Sequence, residues 1–140
     1  MSECIIEKKA IAENIEELSS LSDLALQKLN IPENSRQELM MALDEAITNI
    51  VIHGYSLKEG DIRIVIGRKN EYVTVELVDS GKEFDPTTYP EPDLNVPIEE
   101  RKVGGMGVPL IRKFTDGIEY HSCNGINHFI LTKKIGVANG

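Results

Sequence analysis

Aromatic residues are scarce in this sequence, which has no tryptophan and only 5% Phe, Trp and Tyr among its 140 residues. Proteins that bind single-stranded nucleic acids stack bases on aromatic side chains, so no such platform is expected. The net charge of −8, from 15 Lys and Arg against 23 Asp and Glu, also argues against a nucleic-acid partner, which requires a basic face. A small anionic ligand held by backbone amides remains compatible with this composition.

Cysteine is equally scarce, with only Cys4 and Cys123. Two thiols make neither a disulfide framework nor a zinc site, and both are expected to be reduced. No apolar run approaches the ~20 residues of a membrane-spanning helix, and the first residues lack the apolar core of a signal peptide. The sequence therefore predicts a cytoplasmic protein without a membrane partner, folded as one domain over residues 1–140.

The spacing of apolar residues predicts an α+β fold. Alternation predicts strands over residues 4–8, 61–68, 72–79, 118–123 and 128–134. Helical spacing predicts helices over residues 11–29 and 34–54 and a short one that follows residue 107. This order favours a two-layer sandwich, with about three helices on one face of a mostly antiparallel, mixed sheet. Residues 86–103, with four prolines and no periodicity, are expected to form a loop that closes over a site.

The predicted helix over residues 34–54 carries a polar ribbon beside its apolar stripe. Glu45, Asn49 and His53 are four residues apart, and four steps of ~100° drift only ~40° around a helix. The neighbouring stripe consists of Leu39, Leu43, Ala46, Ile47 and Ile50. A carboxylate, an amide and an imidazole in one line would suit the wall of a cleft, although ordinary surface helices have polar edges as well.

A second candidate site lies where the strand over residues 72–79 ends. Alternation places Asp79 on the buried face with Val75 and Leu77. A buried carboxylate needs hydrogen-bond donors, and the exocyclic amine of adenine would provide one, while Gly81 would let a flat ring approach the backbone. Asp and Gly are also common in turns, so a turn that only ends the strand is the alternative.

Glycines cluster in residues 104–107, directly before the short helix that carries Val108. Open amides at a helix start, together with the helix dipole, favour phosphate as a ligand. Pro109 suits the first turn of such a helix. The segment is neither a Walker A loop nor a dinucleotide-binding fingerprint, so on its own it would serve equally as a flexible hinge.

Taken together, the three segments resemble the boxes of the Bergerat-fold ATP-binding superfamily (GHKL), which includes gyrases, heat-shock chaperones, histidine kinases and mismatch-repair ATPases. Residues 45–54 (EAITNIVIHG) resemble the N box, residues 79–85 (DSGKEFD) the G1 box and residues 104–107 (GGMG) the G2 box. The resemblance extends over about residues 35–134. Within the superfamily, the pattern is most similar to the small anti-sigma-factor serine/threonine kinases of bacteria.

The resemblance implies a serine/threonine protein kinase that uses ATP and Mg²⁺ and also acts as an anti-sigma factor. Its partners would be a sigma factor and a small antagonist protein that accepts the phosphate, and the family tends to form homodimers. Glu45 would be the catalytic base, and Asn49 the magnesium ligand. The implied ATP-binding residues are Asn49, His53, Asp79, Gly81, Phe84, Gly104, Gly105, Met106, Gly107 and Val108.

Two other functions remain open at this point. The same fold would also serve as a binding module for nucleotide and sigma factor with little or no phosphotransfer, although Glu45 favours a kinase because a binding module needs no base. A histidine kinase would need a helical phosphoacceptor domain, for which these residues are not expected to have room.

Many family members place Thr after the glycine of the last hairpin, near adenine, whereas Gly125 is followed by Ile126 and Asn127. The sequence therefore leaves the adenine contact at this hairpin open.

Overall fold

The computed structural model of the protein describes residues 2–56, 58–88 and 107–135. Gly104, Gly105 and Met106 of the predicted phosphate-binding segment lie outside these ranges. The same holds for the loop predicted to close over the site, apart from a 3₁₀ turn at Pro86–Thr88. No helix within the described ranges is long and apolar enough to cross a membrane.

Within the described residues, five strands form one sheet. They are β1 (Ser2–Lys9), β2 (Asp61–Lys69), β3 (Tyr72–Asp79), β4 (Gly117–Cys123) and β5 (Ile126–Lys134). Their order across the sheet is β1-β2-β3-β5-β4. Every described pairing is antiparallel. The described sheet is therefore antiparallel throughout, whereas a mostly antiparallel, mixed sheet was predicted. Hairpins join β2 to β3 and β4 to β5, and strands joined by tight turns run antiparallel.

In the part of the chain that the structure describes, three α-helices accompany the sheet: α1 (Ile15–Lys28), α2 (Glu33–Thr48) and α3 (Val108–Lys113). The first helix starts later than predicted, because Ala12–Asn14 form a separate 3₁₀ turn. Pro32 directly precedes α2 with extended backbone angles (φ −55°, ψ 146°), as expected of a residue that starts a helix. The predicted α+β sandwich is therefore confirmed.

The hydrophobic core lies between the helices and one face of the sheet. Alternate residues of the two central strands, such as Ile64 and Val75, are fully buried on this face. The predicted apolar stripe of α2 packs there as well, and Leu43 and Ile47 are completely inaccessible to solvent. Because burying one such side chain contributes about 1.5–3 kcal/mol, this stripe holds α2 firmly against the sheet.

The predicted helix over residues 34–54 changes its winding before it ends. α2 stops at Thr48, and Asn49–Gly54 continue as a π-helical turn, in which the Tyr55 N–H donates to the Ile50 carbonyl five residues earlier (2.9 Å). A wider turn changes which residues share a face. Asn49 is buried whereas His53 is exposed, so the two polar side chains differ in their access to solvent.

Candidate active site

A cavity of about 30 Å³ lies between the C-terminal end of α2, the end of β3 and the hairpin of β4 and β5. Its walls are Ala46, Asn49, Ile50, Gly54, Asp79, Lys82, Phe84, Pro86, Tyr120, Asn127 and Phe129. One water needs about 10–15 Å³ of such volume, so this volume corresponds to about two water molecules. Three predicted site residues, Asn49, Asp79 and Phe84, therefore line one cavity.

Asp79 ends β3 with its side chain turned inward, as alternation predicts, and it is only 7% exposed. Its Oδ1 accepts two hydrogen bonds, from the Gly81 N–H (2.9 Å) and from Nδ2 of Asn127 (2.9 Å). Burial raises the pKa of the Asp79 carboxyl above its ordinary value, and the hydrogen bonds from Asn127 and Gly81 partly oppose that rise. Both donors are on Oδ1, so Oδ2 is the oxygen on which an incoming donor would be accepted.

Asn127 is the hairpin residue whose role the sequence leaves open. Because β5 pairs with β3, Asn127 lies opposite Asp79, and it is 2% exposed. Its Nδ2 donates to Asp79 Oδ1 and to the Gly81 carbonyl (3.0 Å), while its Oδ1 accepts from the Ser122 hydroxyl (2.7 Å). The sequence contains a clue to this burial, because Asn127 alternates with the apolar Phe129 in the strand pattern.

Gly81 packs against the π-helical turn. A Cβ atom at this position would lie 2.8 Å from the carbonyl carbon and oxygen of Gly54 and 3.2 Å from the Tyr55 nitrogen. The next residue, Lys82, donates its N–H to the Gly54 carbonyl (2.7 Å). Glycine is therefore required here by the close approach of two backbones, while the approach of a flat ring to Gly81 remains a prediction.

Tyr55 holds the same loop from the other side. Its hydroxyl donates to the Asp61 carbonyl (2.6 Å) and accepts the Ser80 N–H (2.8 Å), and the residue is 5% exposed. A Cβ at Gly60 would overlap the Tyr55 ring, so residue 60 must be glycine where the chain passes this side chain. Tyr55 thus links the start of β2 to the loop after β3, a role that the local sequence pattern does not reveal.

Tyr120 of β4 contributes an aromatic wall to the cavity. Its hydroxyl accepts the Phe84 N–H (3.2 Å). Burial raises the pKa of Tyr120, the Phe84 hydrogen bond lowers it, and the negative charges of Asp79, Glu83 and Asp85 raise it further. The phenol therefore stays protonated at neutral pH and keeps a proton with which to donate.

Glu45 lies on α2, one helical turn before Asn49, and is half-buried. Its neighbour is Gly107, which directly precedes α3 and has a left-handed backbone (φ +74°). A Cβ at Gly107 would overlap Oε2 of Glu45 and lie 2.8 Å from its Cδ. The last glycine of the predicted phosphate-binding segment therefore lies against the side chain that is predicted to be the base.

Four predicted ATP-binding residues that the structure describes do not line the cavity: Gly81 and Gly107, whose contacts are given above, and His53 and Val108. His53 is exposed on the π-helical turn, and Val108 is buried at the start of α3 with 1% exposure. Neither belongs to the cavity wall in the part of the chain that the structure describes. Their predicted roles, like those of residues 104–106, remain predictions.

The fold and the cavity together define a class of protein. In an α+β sandwich, Asn49 at the end of α2 shares a cavity with the buried Asp79 at the end of β3, and Glu45 lies one helical turn earlier on α2. This is the arrangement expected of a Bergerat-type ATP-binding domain. Residues 10–133 match the family described as the histidine kinase-like ATPase domain. The chain belongs to this family, which confirms the resemblance noted from the sequence and indicates ATP as its nucleotide.

The sequence is also similar to individual proteins of known name. The chain is 31% identical over 98 residues to the serine/threonine-protein kinase BtrW of Bordetella bronchiseptica, covering 69% of each chain. It is 34% identical over 101 residues to an anti-sigma F factor of a Thermoanaerobacter species, covering 71% of this chain and 70% of the relative. It is 31% identical over 103 residues to the serine-protein kinase RsbW of Bacillus mycoides, covering 71% and 64% respectively.

A solved structure shares the fold. The crystal structure of the RsbU and RsbW domains of Rv1364c from Mycobacterium tuberculosis matches with a TM-score of 0.69 and 14% identity. The match covers 96% of this chain but 32% of that longer chain. At this level of identity the likeness supports the architecture, and the chemistry has to be argued from the residues of the cavity.

Proposed function

We propose that this protein is an ATP- and magnesium-dependent serine/threonine protein kinase that also acts as an anti-sigma factor. It binds a sigma factor and phosphorylates a small antagonist protein of that sigma factor. The observation that carries the proposal is one cavity in which the buried carboxylate of Asp79 and the amide of Asn49 both form the wall, with Glu45 one turn earlier on α2. Relatives named as anti-sigma F factors and serine-protein kinases support it.

Adenine recognition is assigned to Asp79. Because Oδ1 already accepts two hydrogen bonds, Oδ2 is the acceptor for the exocyclic amine of the base. Guanine carries a carbonyl where adenine carries its amine. Bound in the same way, guanine would place its carbonyl oxygen against Asp79 Oδ2, and both atoms are hydrogen-bond acceptors. The site therefore selects adenine by charge and hydrogen-bond polarity, because an unmatched buried acceptor is costly.

Asn49 fits the proposed magnesium site by the chemistry of its donor atom. Amide oxygens are suitable ligands for this hard cation. Asn49 is buried and lines the cavity. Bound magnesium would neutralise charge on the phosphates of ATP. Asn49 would hold the cation on the α2 side of the cavity.

Glu45 is proposed as the base of the transfer. Its carboxylate removes the proton from a serine or threonine hydroxyl of the antagonist, and the oxygen attacks the γ-phosphorus of ATP. The bond from that phosphorus to the β,γ-bridging oxygen breaks, and ADP leaves. The position of Gly107 beside Glu45 supports this assignment, because Gly107 is the last residue of the segment predicted to contact phosphate.

Purified protein mixed with γ-labelled ATP, magnesium and candidate antagonist proteins tests the proposal. Label should appear on one serine or threonine of an antagonist, located by mass spectrometry, and should disappear when magnesium is chelated. Nucleotide binding and sigma-factor capture without any labelled antagonist would favour the binding module instead. Absence of ATP binding in calorimetry would contradict both functions.

A further inference from the structure

A chain of hydrogen bonds, buried between Asn127 and Asp79 and partly buried elsewhere, links three strands of the sheet. The Ser122 hydroxyl donates to Asn127 Oδ1, and Asn127 Nδ2 donates both to Asp79 Oδ1 and to the Gly81 carbonyl. We call Ser122, Asn127 and Asp79 the hairpin relay. These residues lie at directly paired positions of β4, β5 and β3, so the sheet itself fixes their spacing.

Both N–H donors of the Asn127 amide are used by the protein. An asparagine amide has two N–H donors, and in Asn127 both point to protein acceptors, one at 2.9 Å and one at 3.0 Å. Reversing this amide would place its oxygen against Asp79 Oδ1 and the Gly81 carbonyl, which are both acceptors. The donors of Asn127 are therefore committed to Asp79 and the loop after β3, and none is left for a nucleotide.

We propose that Asn127 is a positioning residue for base selection, and that it acts on the nucleotide only through Asp79. By occupying Oδ1 it holds the Asp79 carboxylate in one orientation and presents Oδ2 to the base. Ser122 supports this by fixing the amide of Asn127. The inference rests on the proposed function, because it concerns the adenine site of that kinase.

A residue that only stabilises the fold would lower the affinity for every nucleotide alike. A positioning residue instead changes the preference for a base that carries the amine. The ratio of the affinities for ATP and for purine riboside triphosphate, which lacks the exocyclic amine, separates these roles. Since hydrogen bonds to a charged group are the stronger ones, we expect the wild type to prefer ATP by about tenfold or more.

The test is calorimetry with both nucleotides on the wild type, Asn127→Ala, Asp79→Asn and the double variant. Asn127→Ala should lose about tenfold in ATP affinity and most of the preference for ATP. The double variant should bind ATP no more weakly than Asp79→Asn, because the two residues act in series. A retained preference in Asn127→Ala, or multiplied losses in the double variant, would overturn the inference.

Ser122→Ala provides a second variant in case Asn127→Ala does not fold. It removes one end of the relay and should reduce the preference for ATP severalfold, whereas Ser20→Ala, an exposed serine of α1, should leave it unchanged. An unchanged preference in Ser122→Ala would count against the relay. Wild type that binds no adenine nucleotide would overturn the proposed function together with this inference, whereas ATP binding with independent losses would overturn the inference alone.

Discussion

Gly107 lies in direct contact with Glu45: a Cβ at Gly107 would be 2.8 Å from Cδ and 3.0 Å from Cβ of that side chain. The backbone of Gly107 is also left-handed, with φ at +74°. Two separate physical requirements therefore select glycine at one position, the backbone angle and the space taken by the proposed base. The residue brings the start of α3 against the side of α2 that carries the proposed base.

Replacing Gly107 by alanine should impair phosphotransfer more than it impairs folding. A left-handed alanine costs about 1–2 kcal/mol, and the added methyl group would in addition displace Glu45. Gly125→Ala is a matched control, since Gly125 has φ +80° but nothing within 4 Å of its Cβ position. Both variants should unfold at lower urea concentrations, while only Gly107→Ala should lose transfer to the antagonist. Equal transfer rates for the two variants would contradict the assigned contact.

Asp79→Asn should weaken ATP binding by about 10- to 100-fold, because a hydrogen bond to a charged group is lost. The same substitution should not lower the free energy of unfolding at neutral pH. Burial raises the pKa of Asp79 in the folded state, so ionisation of this carboxyl opposes folding. The free energy of unfolding therefore falls as the pH rises from the unfolded-state pKa through the folded-state pKa.

Urea unfolding of the wild type and Asp79→Asn across pH 4 to 7 measures this difference. The variant should lack the decline that Asp79 causes and should be at least as stable as the wild type at neutral pH. A variant that binds ATP normally would contradict the adenine assignment. Lower stability of the variant at neutral pH would contradict the assigned cost of burying the charge.

Asp44 presents a related case outside the cavity. Its Oδ1 is buried and has no hydrogen-bond partner among the residues that the structure describes. Burial raises the pKa of Asp44, a hydrogen bond from Ser19 lowers it, and the charge of Asp23 raises it. Because the folded pKa is raised, ionised Asp44 opposes folding at neutral pH.

Asp44→Asn should therefore shift urea unfolding at pH 7 to higher concentrations, with little shift at a pH below the unfolded pKa. Asp61→Asn, at an exposed position, serves as the control and should shift unfolding little at either pH. Phosphotransfer should be unchanged. A destabilised Asp44→Asn protein at pH 7 would show that the carboxylate has a favourable role that this account omits.

Tyr55→Phe should lower both stability and ATP affinity. The change removes the hydroxyl that accepts the Ser80 N–H and donates to the Asp61 carbonyl, and a buried group that loses its partner costs about 1–3 kcal/mol. Tyr72→Phe is the matched control, because Tyr72 is 46% exposed. Urea unfolding and ATP calorimetry of both variants provide the comparison. Identical behaviour of the two would mean that Tyr55 does not hold the loop after β3.

Local pattern in the sequence was sufficient for much of this fold. Alternation predicts β3 with its observed bounds, Tyr72–Asp79, and turns Asp79 inward, because the two faces of a strand differ strictly at each step. The turn at Asn124 and Gly125 also follows from local chemistry, since both residues adopt positive φ, 53° and 80°.

Contacts between distant segments could not be predicted in this way. The partnership of Asn127 with Asp79 depends on the register of β5 against β3, and the need for glycine at residue 81 depends on the approach of Gly54. The π-helical turn Asn49–Gly54 is another example, because helical periodicity alone does not show where the winding widens. Each of these features sets the shape of the cavity.

The comparison of Glu45→Gln with the wild type in single-turnover phosphotransfer tests the central claim most directly. Glutamine keeps the shape of the side chain and removes the base, which typically contributes about 10²–10⁴-fold to the chemical step. Glu33→Gln, in the exposed first turn of α2, is the matched control. We expect Glu45→Gln to bind ATP and sigma factor as the wild type does but to transfer phosphate to the antagonist at least about a hundredfold more slowly. Transfer at the wild-type rate would contradict the kinase mechanism proposed for this protein.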